Sequence, residues 1–139
     1  MSRLPSFSTL WDNYPNGEPA AVKAVIGGHV DAAWITNTCV IRMCYALNHS
    51  GAPIHAAAGL TTIRGGDGYV YGFRVSEFKR YMTDVYGHPV PFGSGMQGII
   101  CFDVSVWSDA TGHFDLWNGT TCRHEGYFSV ASAEHIWPC

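Results

Sequence analysis

The sequence predicts an α+β domain in which helices pack on one face of an antiparallel sheet. Apolar residues recur at helical spacing mainly in the first half of the chain, whereas alternating and continuous apolar runs of strand type fall in the second half. The chain has 139 residues, 47% of them apolar and 14% charged. That is enough for one domain over residues 1–139, with a core that removes roughly two-thirds of the unfolded surface from water.

In residues 7–14, Phe7, Leu10, Trp11 and Tyr14 stand at i, i+3, i+4 and i+7, the pattern of a short amphipathic helix. Pro15-Asn16-Gly17-Glu18-Pro19 breaks it. Residues 20–26 read as a second short helix stopped by Gly27-Gly28, and residues 29–38 as a loop. A third helix opens at Cys39 and ends near Asn48-His49-Ser50-Gly51, with Gly51 as C-cap and Pro53 beyond it. Residues 61–68 are turn-rich, and residues 69–75 alternate as a short strand or extended arm. Ser76 reads as the N-cap of a helix over 77–86 that ends at Gly87. Within 96–106 the run Gly-Ile-Ile-Cys-Phe-Asp-Val is a buried strand. Residues 112–118 form another, followed by Asn118-Gly119 as a hairpin turn signal. Residues 127–130 and 135–137 read as the last strands. There is no internal repeat, low-complexity tract or second domain.

The formal net charge is −3 and there is no basic run, so a nucleic-acid partner is not expected. No segment approaches the roughly 20 continuous apolar residues of a membrane span. The start, Met1-Ser2-Arg3-Leu4-Pro5-Ser6-Phe7, has one basic residue and no apolar stretch of signal-peptide type. The five cysteines (39, 44, 101, 122 and 139) form no CxxC pair, and Cys39 to Cys44 is a poor zinc spacing, so no metal is expected. An odd count suits one reactive thiol plus a bridge, and Cys122 and Cys139, flanking the last strand region, are the candidate pair. Cys44 and Cys101 lie in apolar runs and read as small buried hydrophobes.

The chemistry centres on Cys39. It opens a helix behind polar Asn37 and Thr38, where the positive end of the helix dipole and unpaired N–H groups favour thiolate over thiol. Cys44, five residues on, points elsewhere round the helix. His113, on the later alternating strand, is the candidate base, and cysteine first with histidine much later is the chain order of papain-like hydrolases. A third group must fix the imidazole. His124, on the segment returning after Asn118-Gly119, is preferred. Asp115 shares the His113 face but lies only two residues along, where contact with the ring looks awkward.

Four segments then make a resemblance specific. These are Gly27-Gly28-His29-Val30, Asn37-Thr38-Cys39-Val40-Ile41-Arg42-Met43, Tyr69 to Arg74, and Gly112-His113-Phe114-Asp115-Leu116-Trp117-Asn118-Gly119. In that order they resemble the fourth family of type VI secretion amidase effectors, itself similar to NlpC-type papain-fold cell-wall peptidases. The resemblance implies a papain-like fold with the nucleophile helix packed on the sheet, Cys39 as nucleophile and His113 as base. The family's third catalytic residue is an aspartate just past a cysteine after the Leu-Trp-Asn-Gly turn. Cys122-Arg123-His124 stands there in this chain, so the resemblance puts His124 in its place. It also implies cleavage of the γ-D-glutamyl–meso-diaminopimelate bond of peptidoglycan stem peptides, without metal or organic cofactor. Delivery to a target-cell periplasm or the extracellular space and a cognate immunity protein are implied as well.

The reaction expected is amide hydrolysis through a thioester on Cys39, with His113 protonating the leaving amine and then activating water. The Cys39 backbone N–H is expected to meet the oxyanion. Because the stem peptide carries several carboxylates, Arg42 and Arg64 are candidate substrate-binding residues, and Trp34 a candidate groove wall. Trp117 reads as core packing. A papain-like transferase or deamidase, and a catalytically silent wall-binding module, are the competing readings.

Overall fold

The computed structural model describes residues 2–107 and 112–139. Helix α1 is Phe7–Asn13, with Ser6 as N-cap accepting from the Thr9 N–H, and α2 is Pro19–Ile26, started by Pro19 itself. After a 3₁₀ turn at Gly28–Val30 comes α3, Cys39–Asn48, which starts and stops where the sequence reading has it but is capped at its end by His49 and not by Gly51. Nine of its ten residues are buried, so α3 is the central helix. A small antiparallel pair follows, β1 (Thr62–Arg64) with β2 (Val70–Gly72). The predicted turn-rich stretch thus contains a strand, and the 69–75 arm is shorter than expected. Helix α4, Val75–Tyr86, is capped by Arg74, which places Ser76 in its first turn rather than at the cap.

The main sheet joins β3 (Val90–Pro91), β4 (Gly98–Asp103), β5 (Gly112–Trp117) and β6 (Ala133–Pro138) in the order β3-β6-β4-β5, all antiparallel. Alternation along the two central strands makes the sheet two-faced. Ile99, Cys101, Phe114 and Leu116 point into the large core with α1 to α4, while Ile100 and Phe102 form a smaller cluster on the other face with Val104. The helices lie on one face, as the α+β reading requires.

Among the described residues no strand covers the second face. Residues 122–131 run across it as an irregular strap, with Tyr127 and Ala131 packed on the small cluster. The strand expected at 127–130 is a turn, in which Val130 and Ala131 donate N–H to the Tyr127 carbonyl. Asn118 does turn the chain, but through its side chain, which accepts the N–H groups of Thr120 and Thr121.

The Cys122–Cys139 bridge is not formed, and all five cysteines are free. The topology explains why. Cys139 follows β6, which borders one side of β4, whereas Cys122 pairs beside Trp117 of β5 on the other side. Three interstrand spacings, about 14 Å, separate them, and a disulfide needs Cα atoms within roughly 7 Å.

Candidate active site

β5 is one of the two edge strands of the main sheet, and its His113 and Asp115 face away from the helical core. The start of α3 comes to the same edge. There a cleft of about 550 Å³ opens, lined by Cys39, His113, Asn37, Trp107, Glu125 and Tyr127 among others. Cys39 and His113, far apart in the chain, therefore meet in one cavity.

Of the two candidates for the group behind His113, Asp115 makes the contact. Its Oδ2 lies 2.8 Å from His113 Nε2, and the residue is fully buried. The two-residue spacing that looked awkward is bridged because the carboxylate folds back along the strand. Its oxygens also accept backbone N–H groups from Leu116, His124 and Glu125 at 2.8 to 3.1 Å. The His124 imidazole turns elsewhere, with Nδ1 3.2 Å from Asn16 Oδ1. His124 thus supplies its main chain to Asp115, not its ring to His113. Burial and the nearby Arg42 charge hold its imidazole below the ordinary histidine range.

His113 behaves differently. Burial opposes its charged form, but the hydrogen bonds its ring donates to Asp115 and Cys39, and the charges of both, outweigh burial and raise it to about 9. The Tyr127 ring packs edge-on against the imidazole at 4.8 Å, and Phe102 lies beneath it at 6.1 Å. Tyr127, which sequence reasoning passed over, sits in a segment whose alternation suggested a strand. Burial, then the hydrogen bond that its hydroxyl donates to Glu125, push it up to about 12.

The Cys39 backbone N–H is not free at rest. The Asn37 side-chain Oδ1 accepts from it at 3.1 Å, while Thr38, the N-cap residue, makes no side-chain cap bond. Asn37 and Thr38 were legible as polar residues before Cys39, but not that the side chain of one occupies the expected oxyanion donor.

Of the three candidate substrate-binding residues, Arg42 lines the cleft, whereas Arg64 and Trp34 do not. Arg42 is 0% exposed and reaches the cleft only from beneath. Its Nε donates to Thr38 Oγ1, and its terminal nitrogens donate to the carbonyls of Pro15 and Gly17, so it braces the N-terminal loop. Arg64 lies on β1, away from the cleft, and donates to the Gly68 carbonyl across its own hairpin turn. Trp34 is 62% exposed and packs against Phe73 rather than lining the cavity. Trp117 packs against Phe92 and Phe128 on the second face, as the core reading expected. Among the described residues no cluster of three or more His, Cys, Asp or Glu side chains is arranged to hold a metal ion, and no helix is long and apolar enough to cross a membrane.

No curated protein sequence matches the chain significantly. Solved structures do. The effector Tae4 from Enterobacter cloacae superposes with a TM-score of 0.89 at 32% identity, over 99% of each chain. Tae4 from Salmonella typhimurium, in complex with the immunity protein Tai4 from Enterobacter cloacae, gives 0.89 at 31% identity, over 96% of this chain and 98% of that one. The Tae4–Tai4 complex from Salmonella Typhimurium gives 0.89 at 31%, over 98% and 99%. The profile of the family described as "Type VI secretion system (T6SS), amidase effector protein 4" matches residues 35–137, which span both Cys39 and the His113–Asp115 strand. With the family profile and the whole fold in agreement, the chain belongs to the type VI secretion amidase effector 4 family.

Proposed function

We propose that this amidase effector hydrolyses peptidoglycan stem peptides at the γ-D-glutamyl–meso-diaminopimelate bond, using Cys39, His113 and Asp115. The observation that carries the reading is the convergence of a helix-start cysteine and an Asp-bound histidine in one open cleft. Cys39 Sγ passes its proton to His113 and attacks the glutamyl carbonyl. With Nε2 held by Asp115, Nδ1 is the nitrogen left for the thiol. The carbonyl oxygen takes the place that Asn37 Oδ1 holds on the Cys39 N–H. His113 then protonates the departing diaminopimelate amine, leaving a thioester. Water that gives its proton to His113 attacks the thioester, releasing the γ-glutamyl carboxylate and the Cys39 thiol. A metal ion plays no part in these steps.

Delivery into the periplasm of a target cell and neutralisation by a cognate immunity protein go with this reading. The related Tae4 chains crystallised with Tai4 support the second. A transferase or a silent module is separated from it by one test. Purified muropeptides are incubated with wild type and Cys39→Ala, and the products are read by mass spectrometry. Fragments split between D-glutamate and diaminopimelate, absent with the variant, are expected. Intact muropeptides with a reactive wild-type thiol would overturn the reading.

A further inference from the structure

The loop between α1 and α2 is tied to the reacting groups from two sides. Arg42, one turn after Cys39 on α3, grips the Pro15 carbonyl at 3.2 Å and the Gly17 carbonyl at 2.7 Å. Asn16, between these two, is turned toward the strap. Its Nδ2 donates to the Arg123 carbonyl at 3.0 Å, and its Oδ1 meets His124 Nδ1 at 3.2 Å and accepts the Gly17 N–H at 3.2 Å.

Of the strap residues held in this way, His124 itself binds Asp115, as does Glu125 next to it. The His124 N–H reaches Oδ1 at 3.1 Å and the Glu125 N–H reaches Oδ2 at 2.9 Å. Oδ2 is also the oxygen that meets His113 Nε2. A carboxylate offers about four lone-pair directions, and backbone donors on both oxygens leave little freedom in where the remaining ones point. Asn16 is exposed and hydrogen-bonds to neither Cys39 nor His113, so whatever it does to them passes through the strap.

We propose that Asn16 is a positioning residue for the His113–Asp115 pair. Braced by Arg42, its carboxamide holds Arg123 and His124, so that the N–H groups of His124 and Glu125 aim the Asp115 carboxylate at the imidazole. One helix thereby carries the nucleophile and, through the brace, sets the orientation of the histidine on a different strand. This rests on the assignment of His113 and Asp115 to the reaction.

The test compares Asn16→Ala with Asn13→Ala in the full chain. Asn13 also loses two side-chain bonds from the N-terminal region, to the His49 carbonyl and Ser50 Oγ, but at the far end of α3. The His113 imidazole is titrated by NMR. Around it stand Cys39 from α3, Asp115 from its own strand, and His124, Glu125 and Tyr127 from the strap. Asn16→Ala is expected to lower the His113 midpoint by roughly half a pH unit or more, because its hydrogen-bonded anion is less well aimed. It also lowers kcat roughly tenfold with KM nearly unchanged. Asn13→Ala lowers Tm and moves neither. A His113 midpoint and kcat unchanged by Asn16→Ala, or moved no more than by Asn13→Ala, would overturn the proposal. The titration needs no substrate, so a chain that cleaves no stem peptide would refute the proposed function and still leave this test decided.

Discussion

His113 is where environment changes chemistry most. An ordinary histidine, at 6.5, is mostly neutral at pH 7, whereas this one is raised to about 9 against the cost of its burial. Two consequences share one sign. The charged ring stabilises the fold fully below the ordinary value, and that contribution fades as pH rises through about 9. In the proposed reaction the leaving amine takes its proton from His113, so kcat/KM is expected to fall along an alkaline limb near pH 9. Asp115→Asn removes the anion and is expected to shift that limb down by roughly one unit or more. It also orphans a buried backbone donor, at about 1–3 kcal/mol, which a lowered Tm reads. A limb that stays in place in the variant would show that Asp115 does not set the state of His113.

At the scale of elements, the 3₁₀ turn at Gly28–Val30 meets the β1–β2 hairpin in a close backbone crossing. Gly28 has φ +62°, and a Cβ there would lie 2.6 Å from Gly66 N and 2.7 Å from the Gly65 carbonyl carbon. The Gly27-Gly28 segment therefore runs against the turn between β1 and β2 with no room for a side chain. Gly51 also has a positive φ, +86°, but a Cβ there meets nothing within 4 Å. Gly28→Ala is expected to cost roughly 2–4 kcal/mol, and Gly51→Ala only the left-handed penalty of about 1–2 kcal/mol. Urea unfolding of both variants checks this. Equal losses would mean that backbone contact contributes nothing at Gly28.

The long elements were legible in the sequence because they repeat a pattern. Residues 39–48 keep one helical period, and 98–103 and 112–117 are strongly apolar or alternating. β1 and β3, with three residues and two, are too short to carry a period. The strap was misread because Tyr127, Phe128 and Val130 resemble a strand, while its backbone N–H groups go to Asp115 and to turns instead of a neighbouring strand. The contact of His113 with Asp115 instead of the His124 ring was hidden for the same reason. Sequence spacing does not show that a carboxylate fixed by three backbone N–H groups folds back onto a ring two residues away.

Across the whole molecule, five free thiols sit in very different surroundings. Burial pushes Cys44 and Cys122 up to about 12 and Cys139 to about 11, and moves Cys101 further still in the same direction. Cys39 alone of the five lines the cleft beside His113. Brief iodoacetamide treatment of the native protein at pH 7, followed by peptide mapping, is expected to label Cys39 first. Label spread evenly over Cys122 and Cys139 would contradict that ordering.

The covalent step itself can be intercepted. Hydroxylamine added during digestion of purified muropeptides competes with water for a thioester on Cys39. A γ-glutamyl hydroxamate is therefore expected beside the free acid, rising with hydroxylamine and absent with Cys39→Ala. Cleavage that yields only the free acid, and persists in Cys39→Ala, would show that water attacks the amide directly and that Cys39 is not the nucleophile.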